Sequence, residues 1–218
     1  MATEDPSWTV KQCIDVFREF LIVCIHSILC NRQLYPESLF IKSRKYNTVV
    51  WQSRHPILCN YIQDAVEACT QELQEGIVEC IYLSITSTDQ VELERYIFSA
   101  YSIPRIPDFL LEKPVSPRVP YSDSFVESLR AAMIRIQNAT HSLQQLPENC
   151  SWSIRLTLKE NNTRPKAWET WYLSEHTPES NLERRYQNLT IPLRNISIGP
   201  MDSEIWLESR PDVYDNEK

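Results

Sequence analysis

The chain has 218 residues, 42% of them hydrophobic and 10% aromatic, enough apolar material for a packed core in one large domain or two small ones. Its formal net charge of −7 leaves no whole-surface attraction to phosphate, so nucleic-acid binding would need a local basic patch. Only two glycines are present, Gly76 and Gly199, which excludes a phosphate-cradling loop, a dinucleotide-binding turn and a G-x-S-x-G nucleophile elbow.

The first residues, "MATEDPSWTVKQC", are acidic and lack the basic start and cleavage site of a signal peptide. A helix is predicted from about Ser7 to Leu34. Val10, Cys13, Ile14, Phe17, Leu21, Cys24, Ile25 and Ile28 recur at three- and four-residue steps, and Phe20, Ile22 and Val23 widen the stripe, which marks a central, buried helix. The apolar run Phe20 to Cys30 is too short to span a bilayer. Tyr35-Pro36 is expected to end the helix, because the residue before proline is pushed out of the helical region.

Phe40 to Trp51 is extended in character. Ser53 is expected to cap a second helix that starts near His55-Pro56 and buries Leu58, Ile62, Ala65, Val66, Cys69 and Leu73. Gly76 is its expected stop. Next comes a β-hairpin, with Ile81, Leu83 and Ile85 alternating before a turn at "TSTDQ". On its second strand Val91, Leu93, Arg95 and Ile97 face one side, and Glu92, Glu94, Tyr96 and Phe98 the other. A loop punctuated by prolines 104, 107, 114, 117 and 120 follows, in which Ile103, Ile106, Phe109, Leu110 and Leu111 are expected to be buried.

A third helix is predicted from Ser124, whose spacing to Glu127 fits a capping box, with Phe125, Leu129, Met133, Ile136 and Leu143 inward. "CSWSIRLTL" is the cleanest strand, since Cys150, Trp152, Ile154, Leu156 and Leu158 alternate with polar residues. Beyond it, strand-like pieces around Trp171, Ile191 and Ile205 are separated by long polar spans. This order predicts an α+β domain, an antiparallel sheet backed by three α-helices.

Chemistry-bearing patterns are sparse. The seven cysteines, 13, 24, 30, 59, 69, 80 and 150, form no C-x-x-C pair and mostly sit on apolar faces, as small hydrophobes in a reducing compartment. The N-x-S/T triplets at Asn138, Asn149, Asn161, Asn188 and Asn195 are read as chance matches. His26, His55, His141 and His176 are scattered, so no metal site or cofactor is expected. Glu92 and Glu94, and Asp64 and Glu67, read as solvated surface, and no catalytic residue can be named. Lys42, Arg44, Lys45 and Arg54 are interleaved with Tyr46 and Trp51. Stacking aromatics in a basic segment suit single-stranded nucleic acid, and a charged loop on an acidic protein is the plainer reading. Asp202 to Lys218 carries six acids against two bases, a net −4 that repels phosphate.

Three pieces then carry a resemblance: "ILCNRQLYPESLF", "RKYNTVVWQSRHPILCNYIQD" and "VELERYIF". With the later "IPLRNIS…EIWLES" they resemble the HORMA-domain family, and within it the branch of the accessory, non-catalytic subunit of translesion DNA polymerase zeta. The resemblance implies a single HORMA domain. Its core covers about 7–158, a mobile C-terminal "safety belt" about 159–209, and an acidic tail 210–218. It implies a nuclear, non-enzymatic adaptor in DNA damage tolerance that traps an extended peptide of the polymerase zeta catalytic subunit under the belt. It also implies a bridge to the C-terminal domain of the deoxycytidyl-transferase translesion polymerase.

By position, Tyr61 matches the peptide-contacting tyrosine of the family's Y-I-Q-D motif. Trp168, Trp171 and Leu193 are candidate belt contacts to the peptide, among apolar anchors that include Leu173, Ile191, Ile205 and Trp206. Thr190, Glu204 and Trp206 match the second-partner surface, where the family carries Leu, Gln and Tyr, so all three depart from it. Arg130 matches a self-association arginine, for a homodimer or HORMA–HORMA pair. The alternatives are a spindle-checkpoint or meiotic HORMA adaptor and, in another class, a nucleic-acid-binding module using 42–54. No membrane is implied.

Overall fold

In the computed structural model, which describes residues 8–114, 123–160, 189–198 and 201–210, helix α1 (Val10–Asn31) begins at Thr9. The Thr9 hydroxyl accepts from Gln12 N, and the Gln12 side chain accepts from Thr9 N, a reciprocal capping box that satisfies two backbone donors. The helix stops at Arg32, with Gln33 at φ 55°, before the Tyr35-Pro36 boundary expected from sequence. Phe17, Phe20, Leu21, Cys24, Ile25 and Ile28 are buried along its length. Burial pushes the Cys13 and Cys30 thiols up to about 11, so they stay protonated and pack as apolar groups.

The extended stretch resolves into a hairpin, β1 (Phe40–Lys45) and β2 (Thr48–Ser53). Its two-residue turn places Tyr46 and Asn47 at φ 49° and 53°, the doubly left-handed conformation of a type I′ connection. Side chains close the outer edge of β2. Gln137 Nε2 donates to Val49 O at 2.7 Å, and Trp51 N and Ser53 N donate to Ser27 Oγ and His26 Nδ1, each at 3.4 Å.

Helix α2 (Pro56–Gln74) is capped by His55, whose Nδ1 accepts from Leu58 N at 3.4 Å. Ser53, the expected cap, instead accepts from His55 N at 3.1 Å and holds that histidine in place. Gly76 ends the helix at φ 72°. A Cβ there would sit 2.4 Å from Arg105 N, so both the left-handed turn and the passing loop require glycine.

Strands β3 (Val78–Thr86) and β4 (Glu92–Ser99) form the predicted hairpin. The next loop carries the four-residue helix α3 (Asp108–Leu111), absent from the sequence reading. Ile103 and Ile106 are buried as expected, whereas Phe109 on that short helix is 71% exposed. Helix α4 (Asp123–Ser142) buries Phe125, Leu129, Met133 and Ile136. The side chain of Ser124 lies outside the described set. Strands β5 (Ser151–Leu158), β6 (Leu189–Ile198) and β7 (Met201–Ser209) complete an antiparallel sheet in the order β5-β3-β4-β7-β6. One face, with Ile81, Leu83, Ile85, Tyr96, Phe98, Ile205 and Leu207, shares a single core with α1, α2 and α4. The α+β reading, an antiparallel sheet backed by three long helices, therefore holds.

The pairing of Glu92 and Glu94 on one solvated face does not hold. A bulge between the Ile85↔Glu94 and Thr86↔Glu92 pairs turns the two carboxylates apart. Glu92 accepts from Ser84 Oγ and bonds Arg95. Glu94 is 1% exposed beneath the helices, where it takes a two-pronged ion pair from Arg32 and a hydrogen bond from Tyr96 OH at 2.9 Å.

Candidate functional site

In a sheet of this order β5 is an edge strand, paired with β3 on one side and with no described strand on the other. Lys159 N donates to Ile77 O at 2.8 Å, which sets the parity of the strand. Odd-numbered residues aim their backbone groups at β3. Trp152, Ile154, Leu156 and Leu158 therefore aim their N–H and C=O groups outward. A row of unpaired main-chain donors and acceptors is a template for another strand.

The helix-side flank of that edge is aromatic. Tyr61 on α2 meets Trp152 edge-to-face, with ring centroids 5.4 Å apart, and Trp152 Nε1 donates to Tyr35 OH at 3.0 Å. Tyr61 is 48% exposed, and Ile57, one helical turn earlier, is 75% exposed. Burial, then the neighbouring Tyr35 and Cys69, push the Tyr61 phenol upward, so it remains an uncharged donor. The arrangement offers apolar faces with one polar tip beside an edge that no described strand covers, which is the chemistry of extended-peptide capture.

The other residues singled out from sequence lie elsewhere. Leu193 sits in a bulge of β6, at the opposite edge of the sheet, and is buried in the core away from Tyr61. Trp168, Trp171 and Leu173 fall outside the described residues. Thr190, Glu204 and Trp206 share the outer face of the β6–β7 hairpin. Thr190 lies opposite Glu208, Trp206 opposite Pro192 and Glu204 opposite Asn195, and Trp206 Nε1 donates to Glu208 at 3.0 Å. Arg130 lies half-buried on α4 and pairs with Glu127 at 3.2 Å.

In the basic segment, Lys42 covers the Trp51 ring at 5.2 Å, while Tyr46 packs on Phe20 with its hydroxyl buried. The rings that base stacking needs are thus already engaged. His26 is buried, as expected of a core histidine. Among the described residues no group of three or more His, Cys, Asp or Glu is placed to hold a metal, and no helix is long and apolar enough to cross a membrane. Sequence reasoning missed Ile57, Tyr35 and the edge role of β5. Trp152 was visible only as a strand residue, because edge position depends on which strands pair.

Comparison with known proteins matches residues 14–205 to the HORMA domain. The DNA polymerase zeta processivity subunit of Schizosaccharomyces pombe is 53% identical over 94% of this chain and 96% of its own length. The bovine mitotic spindle assembly checkpoint protein MAD2B is 32% identical over 69% of this chain and 67% of its own. Among solved structures, a chain of the mitotic checkpoint complex superposes with a TM-score of 0.72 at 20% identity, covering 92% of this chain and 99% of that one. C. elegans HTP-2 bound to a HIM-3 closure motif does so at 0.68 and 15% identity, covering 92% and 91%.

Proposed function

The chain belongs to the HORMA-domain family, and from that premise we propose that it is a non-enzymatic adaptor subunit of a translesion DNA polymerase zeta, acting in the nucleus. The adaptor captures an extended segment of the catalytic subunit on the outer edge of β5, beside Tyr61 and Trp152. The carrying observation is a β5 edge that no described strand pairs with, flanked by exposed Ile57 and Tyr61. The 53% identity to a protein named for its part in that polymerase supports the choice of partner.

A strap over the captured segment also accords with the topology. Thirty residues, 159–188, link the end of β5 to the start of β6. Leu158 lies level with the start of β3, and Leu189 lies opposite Ser209, level with Glu94 at the other end of the sheet and on its far edge. Strand spacing and rise put those two points about 30 Å apart, while 30 residues reach about 100 Å when extended. That excess leaves length for a belt over 159–209 that closes on a ligand, with 210–218 as a tail. Main-chain pairing supplies affinity and the closed belt slows escape.

On this reading, Thr190, Glu204 and Trp206 form a face for a second translesion factor, the C-terminal domain of the deoxycytidyl transferase, and Arg130 serves self-association. Co-expression with the proline-containing segment of the polymerase zeta catalytic subunit tests the proposal. Wild type co-purifies with it, and Tyr61→Ala weakens capture about tenfold, the loss of one buried aromatic contact. Absence of wild-type binding defeats the reading, and undiminished binding by Tyr61→Ala removes that residue from the site. Capture of a spindle-checkpoint peptide instead would favour the rival role within the family.

A further inference from the structure

The two flanks of the β5 edge differ in chemistry. Toward the helices they present Tyr61, Trp152 and Tyr35. On the opposite face lie Ser151, Ser153, Arg155 and Thr157. Arg155 is the one cation in that row. It stands directly across from Tyr82 of β3, and its Nε donates to Ser153 Oγ at 3.0 Å. Among the described residues it has no carboxylate partner. Arg95 on the adjoining β4 offers a contrast, since it bonds Glu92 and lies 3.7 Å from Glu208.

A strand added to β5 continues the same cross-strand rows. The row Trp206–Ile97–Tyr82–Arg155 gains one guest residue directly opposite Arg155. Side chains directly opposite one another sit about 5 Å apart on the same face, where opposite charges attract. The guest residues on either side point to the other face, opposite Ile154 and Leu156, with Trp152 and Tyr61 one same-face pair further along the edge.

We propose that Arg155 is a specificity-determining residue of the peptide edge. It selects a segment with a carboxylate side chain, Asp or Glu, between two apolar residues. The carboxylate lies against the guanidinium on the sheet's outer face, and its apolar neighbours lie against Ile154 and Leu156 on the helix-side face, next to the aromatic cluster. This rests on the strand-capture reading and deepens it from an extended peptide to an alternating apolar–acidic–apolar one. The half-buried position of Arg155, next to Tyr82, reduces solvent screening of the pair. An uncharged guest leaves the cation with only neutral partners among the described residues.

The test is selection of random 12-residue peptides displayed on phage by the full-length chain, by Arg155→Glu and by Arg155→Gln. Thermal melting serves as the check that each variant is folded. Wild type should enrich Asp or Glu about three- to fivefold at one position flanked by apolar residues, the scale of a cross-strand charge pair. Arg155→Glu should enrich Lys or Arg at that same position with the apolar flanks unchanged. Arg155→Gln should keep the flanks and lose the charge preference. Apolar enrichment without an acid, or the same acid preference in all three proteins, overturns the inference and leaves strand capture standing. No enrichment by any of the three overturns both.

Discussion

Arg32 and Glu94 carry the only fully enclosed ion pair among the described residues, with side chains 5% and 0% exposed. Arg32 also donates to the carbonyls of Thr140 and Gln144, so one guanidinium joins the end of α1, the end of α4 and the middle of β4. Desolvation makes such a pair a poor source of net stability, yet removing Arg32 leaves the Glu94 charge buried without its ion-pair partner. Arg32→Met should therefore lower unfolding free energy in urea by about 3–5 kcal/mol. The triple change Arg32→Met, Glu94→Leu, Tyr96→Phe should recover most of that loss, because it removes the buried carboxylate and the Tyr96 hydroxyl that donates to it. A single variant as stable as wild type would mean that the carboxylate reaches water. From sequence alone Glu94 looked solvated. Alternation tells which residues share a strand face, but not which face meets the helices, and the bulge beside Glu92 is invisible in the pattern.

At the scale of elements, the docking of the β1–β2 hairpin depends on α1 keeping His26 neutral. Ser53 N–H needs the Nδ1 lone pair, and the backbone of β2 has no described strand on that side. Burial lowers the His26 pKa from 6.5 to about 4. As pH falls, the unfolded chain takes up this proton before the folded one, so stability is complete above about pH 6.5 and is lost progressively down to pH 4. The whole loss is about 3 kcal/mol from this one group. His26→Gln, which keeps an acceptor but does not titrate, should flatten that part of the pH profile when urea midpoints are compared with wild type. An unchanged slope would assign it to other groups. The elements themselves differed in how far they could be read. The α1 stripe and the alternation in β5 were plain because their period is local. The β1–β2 turn was hidden because Tyr46 and Asn47 adopt left-handed angles without the glycine that usually signals them. Likewise the cap of α2 passed to His55, whose ring reaches Leu58 N as well as a serine would.

For the whole molecule, strand order decides where a partner goes, and no local pattern encodes that order. Tyr61 was reached through a motif, but its neighbours Trp152 and Ile57 became a site only once β5 proved to be an edge. The same topology yields a test with residue-level parity. Amides of Ser153, Arg155 and Thr157 face β3 and should exchange slowly whether or not a partner peptide is bound. Amides of Trp152, Ile154, Leu156 and Leu158 face outward and should slow by at least tenfold only when the peptide pairs with them. If the belt closes over the ligand, amides of 159–188 should gain protection in the same titration, while β7, paired with β4 throughout, should change little. Uniform slowing along β5 would point to a global stabilisation rather than strand addition. Slowing confined to the outer edge of β6 would move the captured segment to the other side of the sheet, away from Tyr61 and Arg155.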